Sequence, residues 1–416
     1  PTLIQVKTTI GKYAKDAGKN TIHGRKLTEE DLTSIKKEMN VRDIPFTVSS
    51  EALDEFRGMI QERNQNLYQE WYEKVNRLPE EEQKILDLFL QQEKTIELTT
   101  MDYEKPEENM ESLREASGKI LNSYAKSSPL IIGGAADLAS STMTSLKEEK
   151  AFEKESYEGR NILFGVREFA MACIANGFAL SGYRPFVSTY LSFSDYLKPA
   201  LRLSCLMNLP VLYIFTHDSI SVGMDGPTHQ PVEQLVGLRA TPNLDVFRPA
   251  DTNEVIGAYK AVYQQMKPAC IILGRNKVPI MEGTSVPLVA EGAYIVRQEE
   301  RKLDAILIAT GEEVSLGLEV VQLLAEKGYD IRLVSAPSLE RYHALEKEKQ
   351  EELFPVGIKK FVLEKSSSYS WYEFVHNKNY LFTIDCFGAS GTKEQLDEKY
   401  GFTKEAIADQ MEQLLK

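Results

Sequence analysis

Val211-Leu212-Tyr213-Ile214-Phe215-Thr216-His217-Asp218 is the stretch on which the fold turns. Five apolar residues in succession predict a strand buried on both faces, the kind found inside parallel sheets. The strand runs directly into polar residues. The segment Ser219-Ile220-Ser221-Val222-Gly223-Met224-Asp225-Gly226-Pro227-Thr228-His229-Gln230-Pro231 follows. Two of the five histidines, His217 and His229, flank Asp225 here. Gly223, Gly226 and Pro227 permit sharp turns that would aim these side chains at one point. A strand ending in a polar, glycine-rich loop is where open α/β sheets place their sites.

Working outward, residues 108–285 alternate between helical and strand patterns. Helices are expected at 108–126, 168–181, 192–208 and 252–266. Strands are expected at 129–134, 161–164, 185–189, 211–215, 245–248 and 270–274. Short apolar strands bounded by helices imply a mostly parallel sheet with both faces covered. A second alternating block begins near 300. It has strands at 305–311, 331–334, 360–363 and 380–384, and helices at 312–327 and 402–415. A linker at Gly283-Thr284-Ser285-Val286-Pro287 separates the blocks. Upstream, residues 28–97 are rich in Glu, Lys, Gln and Arg. Leu67, Trp71, Val75 and Leu78, then Ile85, Leu86, Leu88, Phe89 and Leu90, mark helix faces of a charged connector. Pro1 to Gly11 reads as a buried strand that precedes a loop ending at His23-Gly24, and a strand at that position suggests further chain upstream. The fold class is therefore α/β, with two doubly wound, mostly parallel sheet domains preceded by a helical connector.

The 416 residues suit two or three domains, and the net charge of −13 comes without a long basic cluster. Nucleic-acid binding is not expected, because phosphate neutralisation needs a positive face. Anionic substrates remain compatible, since a few placed arginines outweigh a distant negative field. Cys173, Cys205, Cys270 and Cys386 form no CxxC pair. They read as buried thiols of a reducing compartment, and the cytosol is the expected location. No apolar run reaches the length of a membrane span.

Gly165-Val166-Arg167-Glu168 joins a strand to a helix. Glu168 falls in the first helical turn, where the dipole favours its anion. Phe186, Tyr190, Phe193 and Tyr196 follow closely. An aromatic wall with one acid suits a flat heteroaromatic ring, stacked on its face and hydrogen-bonded at its edge. Arg114, Arg202, Arg248 and Arg275 stand at strand or helix ends, where guanidinium groups can fork onto phosphate oxygens. The sequence has no P-loop, no GxGxxG opening a helix, no HExxH and no G-x-S-x-G elbow. What remains is an enzyme whose cofactor has a planar ring, or a sugar-binding module.

The chain resembles the transketolase family along nearly its whole length. The words that carry the resemblance are Gly133-Gly134-Ala135-Ala136-Asp137-Leu138, Gly165-Val166-Arg167-Glu168, Phe193-Ser194-Asp195-Tyr196, Thr216-His217-Asp218-Ser219-Ile220 and Asp225-Gly226-Pro227-Thr228-His229-Gln230-Pro231. Arg248-Pro249-Ala250-Asp251, Leu273-Gly274-Arg275 and Phe387-Gly388-Ala389-Ser390 add to them. The resemblance implies a homodimeric, thiamine diphosphate-dependent ketol transferase of the pentose phosphate pathway. It implies that residues 1–24 are the remnant of a diphosphate-binding domain and 25–107 a connector. Residues 108–285 would be the pyrimidine-binding domain and 300–416 the C-terminal domain. The chain would then be a piece of a larger enzyme, left by proteolysis or truncation and inactive alone. The magnesium or calcium ion would be bound through the absent domain, with no metal ligand in this chain.

The resemblance also assigns roles. Glu168, His229 and His23 would be catalytic. Asp137, Glu168, Tyr190, Phe193 and Tyr196 would contact the cofactor. His23, Arg114, Ser141, His217, Asp225, His229 and Arg275 would hold a sugar phosphate. Met224 stands where the family usually has Glu, and Asn276-Lys277 is less typical after the arginine. The alternatives are a related dihydroxyacetone synthase or deoxyxylulose-phosphate synthase, or an inert piece that only dimerises or binds sugar phosphates. The histidine words favour transketolase over deoxyxylulose-phosphate synthase.

Overall fold

The computed structural model describes residues 3–42, 44–91, 94–98, 101 and 103–416. They form two units, Pro1–Gln83 and Lys84–Lys416. The first unit carries helices α1 (Glu29–Glu38) and α2 (Ser50–Asn76). A capping box starts α1. The Thr28 hydroxyl accepts from the Asp31 N–H at 3.1 Å, and the Asp31 carboxylate accepts from the Thr28 N–H at 3.0 Å. That backbone bond and the neighbouring Arg25 hold the Asp31 pKa down to about 2. The strand expected at Pro1 to Gly11 is corrected. Pro1 and Thr2 lie outside the described residues, and the rest is irregular, with Leu3, Ile4 and Val6 exposed. No described strand of this unit pairs with it, so an extended backbone would find only water for partners.

Helix α3 (Glu80–Leu90) leads into the second unit. The first block there runs β1 (Met110–Ser112), α4 (Leu113–Ser127), β2 (Ile131–Ala135), α5 (Ala139–Thr142), α6 (Glu168–Leu180), β3 (Arg184–Tyr190), α7 (Ser194–Leu206), β4 (Leu212–Thr216), α8 (Gln234–Arg239), β5 (Asp245–Phe247), α9 (Thr252–Tyr263), β6 (Ala269–Leu273) and β7 (Lys277–Pro279). The main sheet has the order β2-β3-β4-β6-β5, with every pair parallel. Successive side chains alternate between two cores. Phe186, Leu212, Ile214 and Ile271 enter one, while Val187, Tyr213, Phe215 and Ile272 enter the other. This is why the strands read as continuous apolar runs. Each fully buried side chain of this size contributes about 1.5–3 kcal/mol.

Two expectations in this block change. The helix predicted over 108–126 starts only at Leu113. Glu115 closes a capping box on Ser112, and residues 110–112 pair antiparallel with 277–279. The strand predicted over 161–164 is reduced to isolated bridges at Asn161. The Asn161 side chain is engaged with Leu146 and Glu149, and Gly165 turns the chain away at φ +66°.

The second block runs β8 (Tyr294–Arg297), β9 (Ala305–Ala309), α10 (Glu313–Glu326), β10 (Ile331–Ser335), α11 (Leu339–His343), α12 (Lys347–Leu353), β11 (Lys359–Leu363), β12 (Leu381–Phe382), α13 (Lys393–Tyr400) and α14 (Lys404–Leu415). Its sheet order is β12-β11-β9-β10-β8, and only β8 is antiparallel. The expectation of four buried thiols is also corrected. Cys205 and Cys270 are buried, whereas Cys173 and Cys386 are exposed. Burial pushes the Cys205 thiol pKa up to about 11.

Candidate active site

All five parallel strands of the first sheet end at one edge, and each delivers a polar or aromatic residue there. Asp137 follows β2, Tyr190 closes β3, His217 follows β4, Arg248 follows β5 and Arg275 follows β6. Helix α6 runs antiparallel to the β3 strand it precedes. Its first residue, Glu168, therefore lies at this same carboxyl edge.

The middle of the edge is a ring cluster. Tyr190 stacks on His217 with ring centroids 3.7 Å apart. Phe193 lies 5.5 Å from Tyr190, and His229 lies 5.3 Å from Phe193 and 6.0 Å from Tyr190. His217 is held in the left-handed region at φ +60°, an uncommon conformation for a side chain of this size. The Thr216 hydroxyl sits 2.8 Å from its Nδ1, which leaves Nε2 for a ligand. Burial, followed by the positive charges of Arg114 and Arg275 and the neighbouring His229, holds the His217 pKa down to about 3. The imidazole is therefore neutral near pH 7, in a neighbourhood suited to an anion.

The groups around this cluster come from separate segments. Arg114 Nη1 donates to the Ser141 carbonyl at 2.8 Å. Arg275 Nη1 donates to Asp225 Oδ2 at 3.2 Å and reaches the Val222 carbonyl at 3.4 Å. The Thr228 hydroxyl is 2.9 Å from His229 Nδ1. Asn276 donates to the Ser221 carbonyl and to Glu312, so it ties the histidine loop to the second block. Glu168 is 9% exposed, and its carboxylate has no hydrogen-bond or ion-pair partner among the described residues. A carboxylate at the positive end of a helix, with no protein partner among the described residues, is open to an incoming N–H donor.

The remaining sequence-predicted residues are placed differently. Tyr196 is 66% exposed and lies 6.3 Å from the Phe193 ring. Asp137 and Asp225 are exposed, and Met224 faces solvent. His23 belongs to the first unit, where it is exposed and its N–H caps the turn at Asn20. Sequence reasoning missed the supports behind the loop. Gln230 Nε2 donates to both the Gly223 and the Ala389 carbonyls at 2.9 Å. Arg248 is wholly buried against Asp218, Glu313 and Glu364 instead of facing a ligand. Its position at a strand end pointed to phosphate, and the family word Arg248-Pro249-Ala250-Asp251 gave it no role.

Three family models match successive parts of the chain. They describe the thiamine diphosphate binding domain of transketolase at residues 1–95, its pyrimidine binding domain at 110–281 and the transketolase-like C-terminal domain at 292–403. A transketolase from Bacillus subtilis is 40% identical over 429 aligned residues, covering 100% of this chain and 64% of that protein. The chain belongs to the transketolase family. A Pichia stipitis transketolase solved in complex with sedoheptulose-7-phosphate superimposes with a TM-score of 0.89 at 33% identity, over 100% of this chain and 63% of that one. A split-gene transketolase described as an inactive β4 tetramer superimposes with a TM-score of 0.59 at 25% identity, over 73% of this chain and 98% of that one. The chain thus spans a little under two thirds of the length of the transketolases it matches most fully.

Proposed function

We propose that this chain supplies the pyrimidine and sugar-phosphate sides of a transketolase site, which moves a two-carbon ketol unit from a ketose phosphate to an aldose phosphate. The observation that carries the reading is Glu168, a largely buried residue at a helix start whose carboxylate has no partner among the described residues, on the same sheet edge as the Tyr190–His217 stack. Such a group fits the ring nitrogen of the thiamine diphosphate pyrimidine. When bound, thiamine diphosphate supplies an electron sink that lets a bond between sugar carbons break and re-form. Glu168 would hold or release a proton at its carboxylate toward that ring. Tyr190 and Phe193, with Tyr196 at the rim, would pack on the ring face, and Asp137 would line its edge. His229 and Asp225, with His23, would meet the hydroxyls and carbonyl of the sugar. Arg114, Ser141, His217 and Arg275 would hold its phosphate, with the neutral His217 offering Nε2.

The partner and domain readings belong to the same proposal. Residues 1–24 would be a remnant of the diphosphate-binding domain, 25–107 a connector, 108–285 the pyrimidine domain and 300–416 the C-terminal domain. Magnesium or calcium would be held with the diphosphate outside this chain. A homodimer is supported by an exposed apolar stripe on α6 made of Phe169, Ala170, Cys173 and Ile174. A cytosolic place in the pentose phosphate pathway accords with the family. Among the described residues no helix is long and apolar enough to cross a membrane. The net charge of −13 argues against nucleic acid as a partner.

A second reading, that the chain alone is inactive, is supported by its coverage of the split-gene relative described as inactive. One assay tests both readings. The chain is given xylulose 5-phosphate, ribose 5-phosphate, thiamine diphosphate and magnesium, alone and with a polypeptide supplying the rest of a relative's diphosphate-binding domain. Transfer only in the mixture is expected. Transfer by the chain alone would refute its inactivity, and no transfer in a mixture shown to assemble would refute the enzyme reading.

A further inference from the structure

A buried guanidinium is one of the links between the second block and the His217 loop. Arg248 donates to Asp218 Oδ2 from Nε at 3.1 Å and from Nη2 at 2.7 Å. Its Nη1 donates to Glu313, the first residue of α10, and to the Thr310 carbonyl at 3.1 Å. Its backbone is clasped as well. The Arg248 N–H donates to the Pro337 carbonyl at 2.7 Å, and its carbonyl accepts from the Gly311 N–H at 3.0 Å. Gly311 lies at φ +64°, and a Cβ there would come within 2.7 Å of the Arg248 guanidinium carbon. Glu364, held in a fork by Arg239 and bonded by Trp371 Nε1 at 2.6 Å, lies 3.6 Å from Arg248. Asp218 directly follows His217, the residue held left-handed and stacked on Tyr190.

Three buried acids around one arginine cost desolvation, so the cluster is weak as a source of stability. What it does provide is a fixed direction for Asp218. We infer that Glu313, acting through Arg248 and Asp218, is a positioning residue that holds His217 on Tyr190 in the geometry that receives the sugar phosphate. The role assigned to His217 rests on the proposed function, but the positioning does not.

The test reads the histidine rings of this chain by NMR with labelled histidine, His217 being assigned by the signal lost in His217→Asn. A ring proton over the Tyr190 face resonates upfield. In Asp218→Asn and Glu313→Gln that signal should move downfield, toward those of the exposed His23 and His376. Glu299→Gln, which breaks the remote Arg332 pair, should leave it in place. If Glu313→Gln does not fold, Arg248→Lys is read instead, since it keeps the charge and loses the fork. An unmoved signal in the folded variants, or an equal shift in Glu299→Gln, overturns the inference. In the active assembly, Glu313→Gln should raise KM for the phosphorylated acceptor about tenfold and leave kcat near the parent value. Titrating the parent chain with ribose 5-phosphate asks the separate question. A His217 signal that ignores the sugar phosphate counts against the proposed function and leaves the positioning result standing.

Discussion

His217 and Glu254 are two buried groups with opposite consequences for stability. His217 stays neutral in the folded chain down to about pH 3, whereas an unfolded histidine takes its proton near pH 6.5. Its contribution is therefore complete above about pH 6.5 and is lost as pH falls toward 3. Glu254 is wholly buried, and it accepts from Tyr294, Ser335 and the Ala250 N–H. Burial, then the charge of Asp251, pushes its pKa up to about 7. The folded chain resists ionising it, so stability falls as pH rises from about 4.5 to about 7. Glu312, pushed up to about 8, acts in the same direction. The unfolding midpoint in urea should thus drop between pH 5 and pH 8, and Glu254→Gln should flatten that drop. An equal drop in the variant would contradict the assignment. At this scale the sequence was informative where an apolar strand stopped. His217 and Arg275 were legible as residues at strand ends and Tyr190 as part of an aromatic cluster, while Asp137 was named only through the family resemblance. The role of Arg248 was not legible, because its partner Glu313 lies 65 residues on, at the start of helix α10 in the second block.

At the scale of elements, the parallel sheet depends on a close approach that only glycine permits. A Cβ at Gly133 would fall 1.9 Å from the Phe186 carbonyl oxygen in the neighbouring strand. Gly133→Ala should cost about 1–3 kcal/mol through overpacking. It should also weaken the edge that carries Asp137 and Tyr190. Urea unfolding checks the first effect, and a cost below about 0.5 kcal/mol would show that the strands part easily. Strands and helices of this unit were legible because both faces of its sheets are buried and their runs are uniformly apolar. The start of α4 was misjudged because a capping box at Ser112 and a two-strand pairing with residues 277–279 outweigh helical periodicity. The N-terminal strand was misjudged for a related reason. Leu3, Ile4 and Val6 have the composition of a strand, but a strand also needs a neighbour, and composition does not supply one.

For the whole molecule, the open question is what covers the apolar stripe of α6. Phe169 and Ile174 are 52% and 45% exposed, on a helix whose first residue is Glu168. Ile174→Glu places a charge in that stripe and should shift the chain toward monomer in sedimentation, with its circular dichroism unchanged. Unaltered self-association would remove the stripe from the interface. The account as a whole depends on Glu168, and one measurement addresses it most directly: the ketol-transfer rate and thiamine diphosphate affinity of the active assembly carrying Glu168→Gln. The account predicts a folded protein whose transfer rate falls at least about a hundredfold, the range expected for loss of a proton-transfer group. A rate within about twofold of the parent would contradict it.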